Sequence, residues 1–290
     1  MKPPLFDYVA AESLDAALAA LAAADGEAKV LAGGQSLMPM LNFRLARPKI
    51  LVDIARVPGL REIVLDGERI RIGALVRHHQ LEMSPVIAER LPVLAEAMRH
   101  VAHLAIRNRG TIGGSLSHAD PAAELPMMAM LLDARLTLRS VRGTREVEAS
   151  DFFVSALSTC LEPDEIVVEV SFALPARVSG WGFEEIARRD GDFALAAAAA
   201  VLRIDGGLIR EPRIALMGVG DTPVRMREAE AVLDGAVPQP ALFERVSQIV
   251  RARITPNSDL HASSEYRVHL AGVLARRVIV DAVRRAGDRT

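Results

Sequence analysis

Hydrophobic and polar positions alternate in two rhythms along the chain, and the order of the rhythms predicts its elements. Residues 12–25, ESLDAALAALAAAD, carry leucines at 14, 18 and 21, a helical spacing that Ser13 opens and Gly26 stops. Lys29–Leu31 reads as a strand, Met38–Leu45 as a short helix ended by Pro48, and Ile50–Asp53 as a second strand. Glu62–Leu65 and Arg69–Gly73 flank Asp66-Gly67, a hairpin signal. A helical stretch follows between Leu91 and Ala102, and MMAMLL after Pro126 predicts a buried helix. Arg135–Ser140 alternates as a strand and Arg145–Glu148 answers it across Gly143. Ile166–Leu174, rich in β-branched residues, predicts a strand closed by Pro175.

The pattern changes at Pro175–Gly182, which places a domain boundary there, with residues 1–176 before it and 177–290 after. Beyond it, Gly182–Arg188, Ala194–Ile204 and Arg213–Val219 predict a three-stranded antiparallel meander. Helices follow at Val224–Leu233, Pro240–Ile254 and Ser263–Ala286. The fold class expected is α+β, an α/β unit with small strands followed by a small domain of sheet and helices.

Two glycine-rich stretches stand out from this framework. Ala32-Gly33-Gly34-Gln35-Ser36-Leu37 follows a predicted strand, and Thr111-Ile112-Gly113-Gly114-Ser115 repeats the Gly-Gly-Ser chemistry downstream. Paired glycines let the backbone fold sharply and present N–H groups to a phosphate, and they are also ordinary turn punctuation. Two such stretches suit one diphosphate gripped from both sides. Neither G-x-G-x-x-G in a compact βαβ unit nor G-x-x-x-x-G-K-[ST] is present, which argues against the Rossmann and P-loop routes to a nucleotide. Asp120 and Glu124 stand four apart after the second stretch. On a helix start they share a face suited to ligand hydroxyls, while Asp120 before Pro121 also fits a helix cap. Arg107 and Arg109 flank the second stretch, suited to a diphosphate or to solvent. Ala187–Phe193, ARRDGDF, is a charged turn, either solvated or closing over a ligand with Arg188.

Composition narrows the function. Of 290 residues, 50% are hydrophobic, which supplies a core for two domains; 35 basic residues stand against 37 acidic ones and aromatics make up 4%, which does not favour nucleic acid. No run of about 18 uncharged apolar residues predicts a membrane span, and a cytoplasmic setting is expected. The single cysteine, Cys160, cannot hold an iron–sulfur cluster. His100 and His103 would share a helical face, but no third ligand accompanies them, so no metal site is expected.

AGGQSL at 32–37, NRGTIGGSLSHADPAAELP at 108–126 and ARRDGDFA at 187–194 resemble the FAD-binding medium subunit of molybdenum hydroxylases. The resemblance covers nearly the whole chain and points foremost to the carbon monoxide dehydrogenase branch, with the FAD part of xanthine dehydrogenase more distant. It implies a two-lobed FAD domain of the vanillyl-alcohol-oxidase (PCMH) type and a small C-terminal flavoprotein domain. It also implies that Ala32–Leu37 and Thr111–Ser115 contact the FAD diphosphate and that Asp120 and Glu124 lie near the ribityl chain and ring. The backbone near Ile166 is implied close to the flavin ring, and Arg188 near the ring or the diphosphate edge. Electrons would pass from a small iron–sulfur subunit through FAD to an external acceptor, while a large molybdenum subunit oxidises the substrate, in a dimer of heterotrimers. A self-contained flavin oxidoreductase and a flavin-free binding module remain as alternatives.

Overall fold

A computed structural model describes residues 2–174 and 180–287. The expected boundary at 176/177 lies outside the described residues.

The chain opens with a small lobe: β1 (Asp7–Ala10), α1 (Leu14–Ala23), β2 (Ala28–Leu31), α2 (Leu37–Asn42) and β3 (Ile50–Asp53). Its three strands are all parallel, in the order β1-β3-β2. The hydropathy pattern did not predict β1, because DYVA holds only one half-buried apolar position and pairs along a single edge. Ser13 caps α1 by accepting from the Ala16 N–H, as expected.

The second lobe runs through β4 (Ile63–Asp66), β5 (Arg69–Gly73), α3 (His78–Met83), α4 (Pro85–Arg90), α5 (Pro92–His100), α6 (Leu104–Arg107), α7 (Ile112–His118) and α8 (Glu124–Leu131). It continues with β6 (Arg135–Ser140), β7 (Gly143–Glu148), α9 (Ala149–Phe152), the short β8 (Phe153–Ser155) and β9 (Ser158–Thr159), and β10 (Ile166–Ala173). An antiparallel sheet in the order β4-β5-β10-β6-β7 forms its floor. Strand β10 serves both lobes: Ile166 and Val168 pack against the small lobe, while Val167, Val170 and Phe172 enter the main core. A register shift between Val167 and Glu169 lets one strand do this.

Strands β11 (Gly180–Ala187), β12 (Ala194–Asp205) and β13 (Leu208–Met217) form the expected meander, and a two-residue strand, β14 (Val224–Arg225), adds a fourth member. The predicted helix at 224–233 therefore starts later, as α10 (Arg227–Leu233), followed by α11 (Pro240–Arg253) and α12 (Ser264–Gly287).

The alanine run explains how this sheet is placed. Successive side chains of a strand point to opposite faces. Ala197 and Ala199 join the main core of the second lobe, whereas Ala196, Ala198 and Ala200 pack under the C-terminal helices. Small side chains on both faces let helices approach closely from both sides. On β11, glycine takes this further: a Cβ on Gly182 would lie 2.2 Å from the Val278 carbonyl oxygen of α12. At the far edge, Arg213, Arg225 and Arg227 converge on Asp133. Arg225 also donates to the Met130 carbonyl and to Glu230.

Two expectations fail. His100 ends α5 while His103 caps α6, so they do not share a helical face. Ala123 precedes the first residue of α8, so Asp120 is not its cap, and Asp120 and Glu124 do not lie on one helix. The Asp120 carboxylate instead accepts from the Ala122 N–H in a local turn. Replacing Gly182 by alanine should cost about 1–3 kcal/mol, because two backbones would have to separate; a lowered thermal midpoint checks this.

Candidate functional site

Strand β2 ends at Leu31, and the chain turns through residues 32–36 before α2. Gly34 takes φ +72°, a conformation that residues with a side chain rarely adopt. Among the described residues, the backbone N–H groups of Gly33, Gly34, Gln35 and Ser36 donate to no protein acceptor. Gln35 folds back instead, its side-chain amide donating to the Gly33 carbonyl at 2.9 Å.

The second stretch is built differently. Residues Ile112–Ser115 are the first turn of α7 and not a loop. Thr111 is the N-cap, its hydroxyl accepting from Gly114 N–H at 3.2 Å. The amides of Ile112 and Gly113 donate to the carbonyls of Val76 and Ala74, and that of Ser115 to Thr111. The amides from 112 to 115 are thus already engaged. What this stretch offers a ligand is the hydroxyls of Thr111 and Ser115 beside the bare Cα of Gly114. Gly113 has a packing role: a Cβ there would come within 2.6 Å of the Ala74 side chain.

The two stretches touch. A Cβ on Gly33 would lie 2.2 Å from the Arg109 carbonyl oxygen, so the first turn rests backbone to backbone on the segment leading into α7. A Cβ on Gly114 would face Ala32 at 3.9 Å. His78 braces this junction from below. Its N–H donates to the Gly110 carbonyl, and its Nε2 stands 3.1 Å from the Thr111 carbonyl oxygen. A carbonyl only accepts, which assigns the proton to Nε2. Burial pushes the ring's proton affinity down to about 4, so the imidazole is neutral at pH 7.

The flanking arginines divide. Arg107 is withdrawn into the protein, binding Glu82 at 2.9 Å and the carbonyls of Val101 and Ala102, so it has no reach toward a diphosphate. Arg109 is exposed. Arg188 lies just past β11, more than half exposed, 3.7 Å from Asp192. Its turn touches the first domain at His103, where a Cβ on Gly191 would meet the ring at 2.6 Å. Phe193, at the end of the same turn, is 66% exposed. Ile166 is buried at the start of β10, its side chain in the core beneath the small lobe.

Carboxyl chemistry gathers where the domains meet. The Pro121 carbonyl accepts from the Gly218 N–H at the end of β13, tying the Asp120 turn to the C-terminal sheet. Burial, reinforced by Asp120, raises the Glu124 carboxyl to about 7. Glu185 on β11 is raised to about 8 by burial and then by the Glu124 charge. No sequence motif marked Glu185; only the packing of β11 on the first domain reveals it.

These features fit an FAD. The open amides suit a diphosphate, the hydroxyls suit polar ligand oxygens, and the bare glycines admit close approach. The whole chain also matches known proteins. Residues 4–175 match the family model described as the FAD binding domain in molybdopterin dehydrogenase, and residues 181–282 match the CO dehydrogenase flavoprotein C-terminal domain. The chain is 42% identical over 287 residues to the alpha subunit of the 6-hydroxypseudooxynicotine dehydrogenase complex of Paenarthrobacter nicotinovorans, covering 99% of this chain and 97% of the relative. Among solved structures, a chain of carbon monoxide dehydrogenase from Hydrogenophaga pseudoflava superposes with a TM-score of 0.96 at 38% identity, covering 98% of this chain and 99% of that one. A chain of quinoline 2-oxidoreductase from Pseudomonas putida 86 does so with a TM-score of 0.94 at 40% identity, covering 99% of both.

The two interdomain carboxyls make a stability prediction. Folding raises both proton affinities from 4.5, so their contribution is complete below about pH 4.5 and gone once pH has risen through about 7 and about 8. The Glu124→Gln/Glu185→Gln double variant should therefore gain on the wild type as pH rises, levelling above about pH 8. Thermal melts of both proteins across that range, compared pH by pH, check this.

Proposed function

The chain belongs to the family of FAD-binding medium subunits of molybdenum hydroxylases, and from that premise we propose how its own residues hold the cofactor and what the subunit does in its assembly. It is an FAD-binding oxidoreductase subunit. Its domains divide at 176/177.

The observation that carries the site is the contact of Gly33 with the Arg109 carbonyl. It sets the open amides of Gly33, Gly34, Gln35 and Ser36 beside the hydroxyls of Thr111 and Ser115. Those amides bind the diphosphate, with Ala32 and Leu37 closing the turn at either end. Ile112, Gly113 and Gly114 form the floor, Gly114 by having no side chain. Asp120 and Glu124 orient the ribityl chain and the ring. The backbone at Ile166 lies alongside the ring, and Arg188 closes the edge from the C-terminal domain.

Bound FAD accepts electrons and passes them on. The protein's part is to hold it where a small iron–sulfur subunit supplies those electrons and an external acceptor removes them. Substrate oxidation belongs to a large molybdenum subunit, and the three assemble as a dimer of heterotrimers. Two facts support the division: the chain spans nearly the full length of relatives named as subunits of complexes, and one cysteine cannot ligate an iron–sulfur cluster. Among the described residues no helix is long and apolar enough to cross a membrane, which is compatible with a cytoplasmic setting.

Purified from its source at low salt, the chain should carry flavin absorbance and co-elute with a small iron–sulfur chain and a large molybdenum chain. A monodisperse yellow chain that turns over a donor alone would establish a self-contained flavin enzyme instead. At the residue level, Gly114→Val should lose FAD with the fold intact, because the Thr111 hydroxyl 2.8 Å from the new Cβ can rotate away. Gly33→Val should lose FAD and also lower the melting temperature, since a backbone carbonyl cannot yield so easily. Normal FAD retention by both would refute the assignment.

A further inference from the structure

The C-terminal domain brings to the domain junction a carboxyl that the glycine stretches do not account for. The Glu185 side chain is 7% exposed. Its Oε1 stands 3.7 Å from His100 Nδ1, beyond hydrogen-bond range, and its Oε2 is buried with no hydrogen-bond partner. Leaving a buried carboxyl oxygen unpartnered costs about 1–3 kcal/mol, and native structures keep few such atoms. The neighbouring Glu184 shows the contrast: it points to the other face of β11 and pairs with Arg277 of α12 at 2.5 Å.

We propose that Glu185 is a residue of the cofactor site contributed by the C-terminal domain, its buried and unpartnered carboxyl completing the site's polar lining. The inference rests on the FAD reading above and adds to it a residue and a role.

The surroundings decide which form Glu185 takes. From α8, the charge of Glu124 acts on it. From α5, His100 faces it, its ring tilted 45° to the Phe183 ring at 4.8 Å, with its Nε2 3.7 Å from Glu96. Arg99 is turned to Glu96 at 3.2 Å, and from the β11–β12 turn Asp190 adds another negative charge near His100. His100 is thus the nearest candidate cation, and burial pushes its proton affinity below the usual histidine value. A carboxylate here would have no firm counter-charge and another carboxyl for a neighbour. Burial and Glu124 accordingly raise Glu185 to about 8. At neutral pH it carries a proton on a buried oxygen, and a protonated carboxyl donates where an ionised one can only accept. In alkaline solution it becomes a negative charge buried where the two domains meet, which opposes the addition of electrons to a neighbouring group.

The test is a redox titration of the full-length chain with bound FAD, followed by flavin absorbance between about pH 6 and pH 9. The wild-type midpoint potential should shift downward around pH 8 relative to Glu185→Gln and coincide with it near pH 6. Glu185→Asp, which restores an ionisable carboxyl, should bring the downward shift back. Superimposable profiles for the wild type and Glu185→Gln at equal FAD content would overturn the role of Glu185 while leaving the FAD site standing. A wild-type chain that takes up no FAD would overturn the cofactor reading and this inference with it. Should Glu185→Gln fail to fold, Glu185→Ala takes its place: a midpoint potential that stays above the wild type's around pH 8 supports the role, and a profile identical to the wild type's refutes it.

Discussion

The architecture depends on close backbone approach through strand β12, where side chains hardly exist. Its alternate alanines face the second lobe's main core on one side and the C-terminal helices on the other. A strand of larger residues would push the two domains apart. Because the layers meet through methyl groups, the C-terminal sheet is continuous with the main core of the second lobe and is no appended module.

The same principle, contact through absent side chains, builds the site. Gly33 rests on the Arg109 carbonyl and Gly113 on Ala74. The two stretches look chemically alike in sequence, yet their backbones do different work. The first leaves four amides open, and the second engages its own, two in fixing α7 to Ala74 and Val76 and two on Thr111. His78 beneath them stays neutral because burial disfavours its charge, so the junction acquires no buried cation.

Polar groups at the domain junction follow a common rule of placement. Where a charge is fully partnered, as in Arg225 with Glu230 and Asp133, it locks elements together. Where partners are missing, as at Glu185, burial converts the group to its neutral form and makes it responsive to pH. The family's division of labour suits such an arrangement: a subunit that relays electrons has to bind its cofactor and tune its surroundings, and needs no nucleophile or acid–base pair for a substrate.

Much of this was legible in the sequence because it is local. The hairpin at Asp66-Gly67, the strands 135–140 and 166–174, the meander with its turn at Gly206-Gly207 and the long C-terminal helices follow from periodicity and turn residues. The glycine stretches announced themselves by composition. The rest arose from distant contacts. Strand β1 exists because β3 pairs with it. Asp120 gives its oxygen to a turn where Pro121 suggested a cap. Arg107, read as facing either a diphosphate or solvent, is drawn inward by Glu82 and two carbonyls. Glu185 lies in no motif, and its chemistry comes from burial against α5 and from a carboxyl on α8. Residue types and their spacing determined the elements and the flexible, amide-rich turn. Only tertiary packing decided which amides stayed open, which charges were neutralised, and which side chains from the second domain face the site, because those depend on burial between segments far apart in the chain.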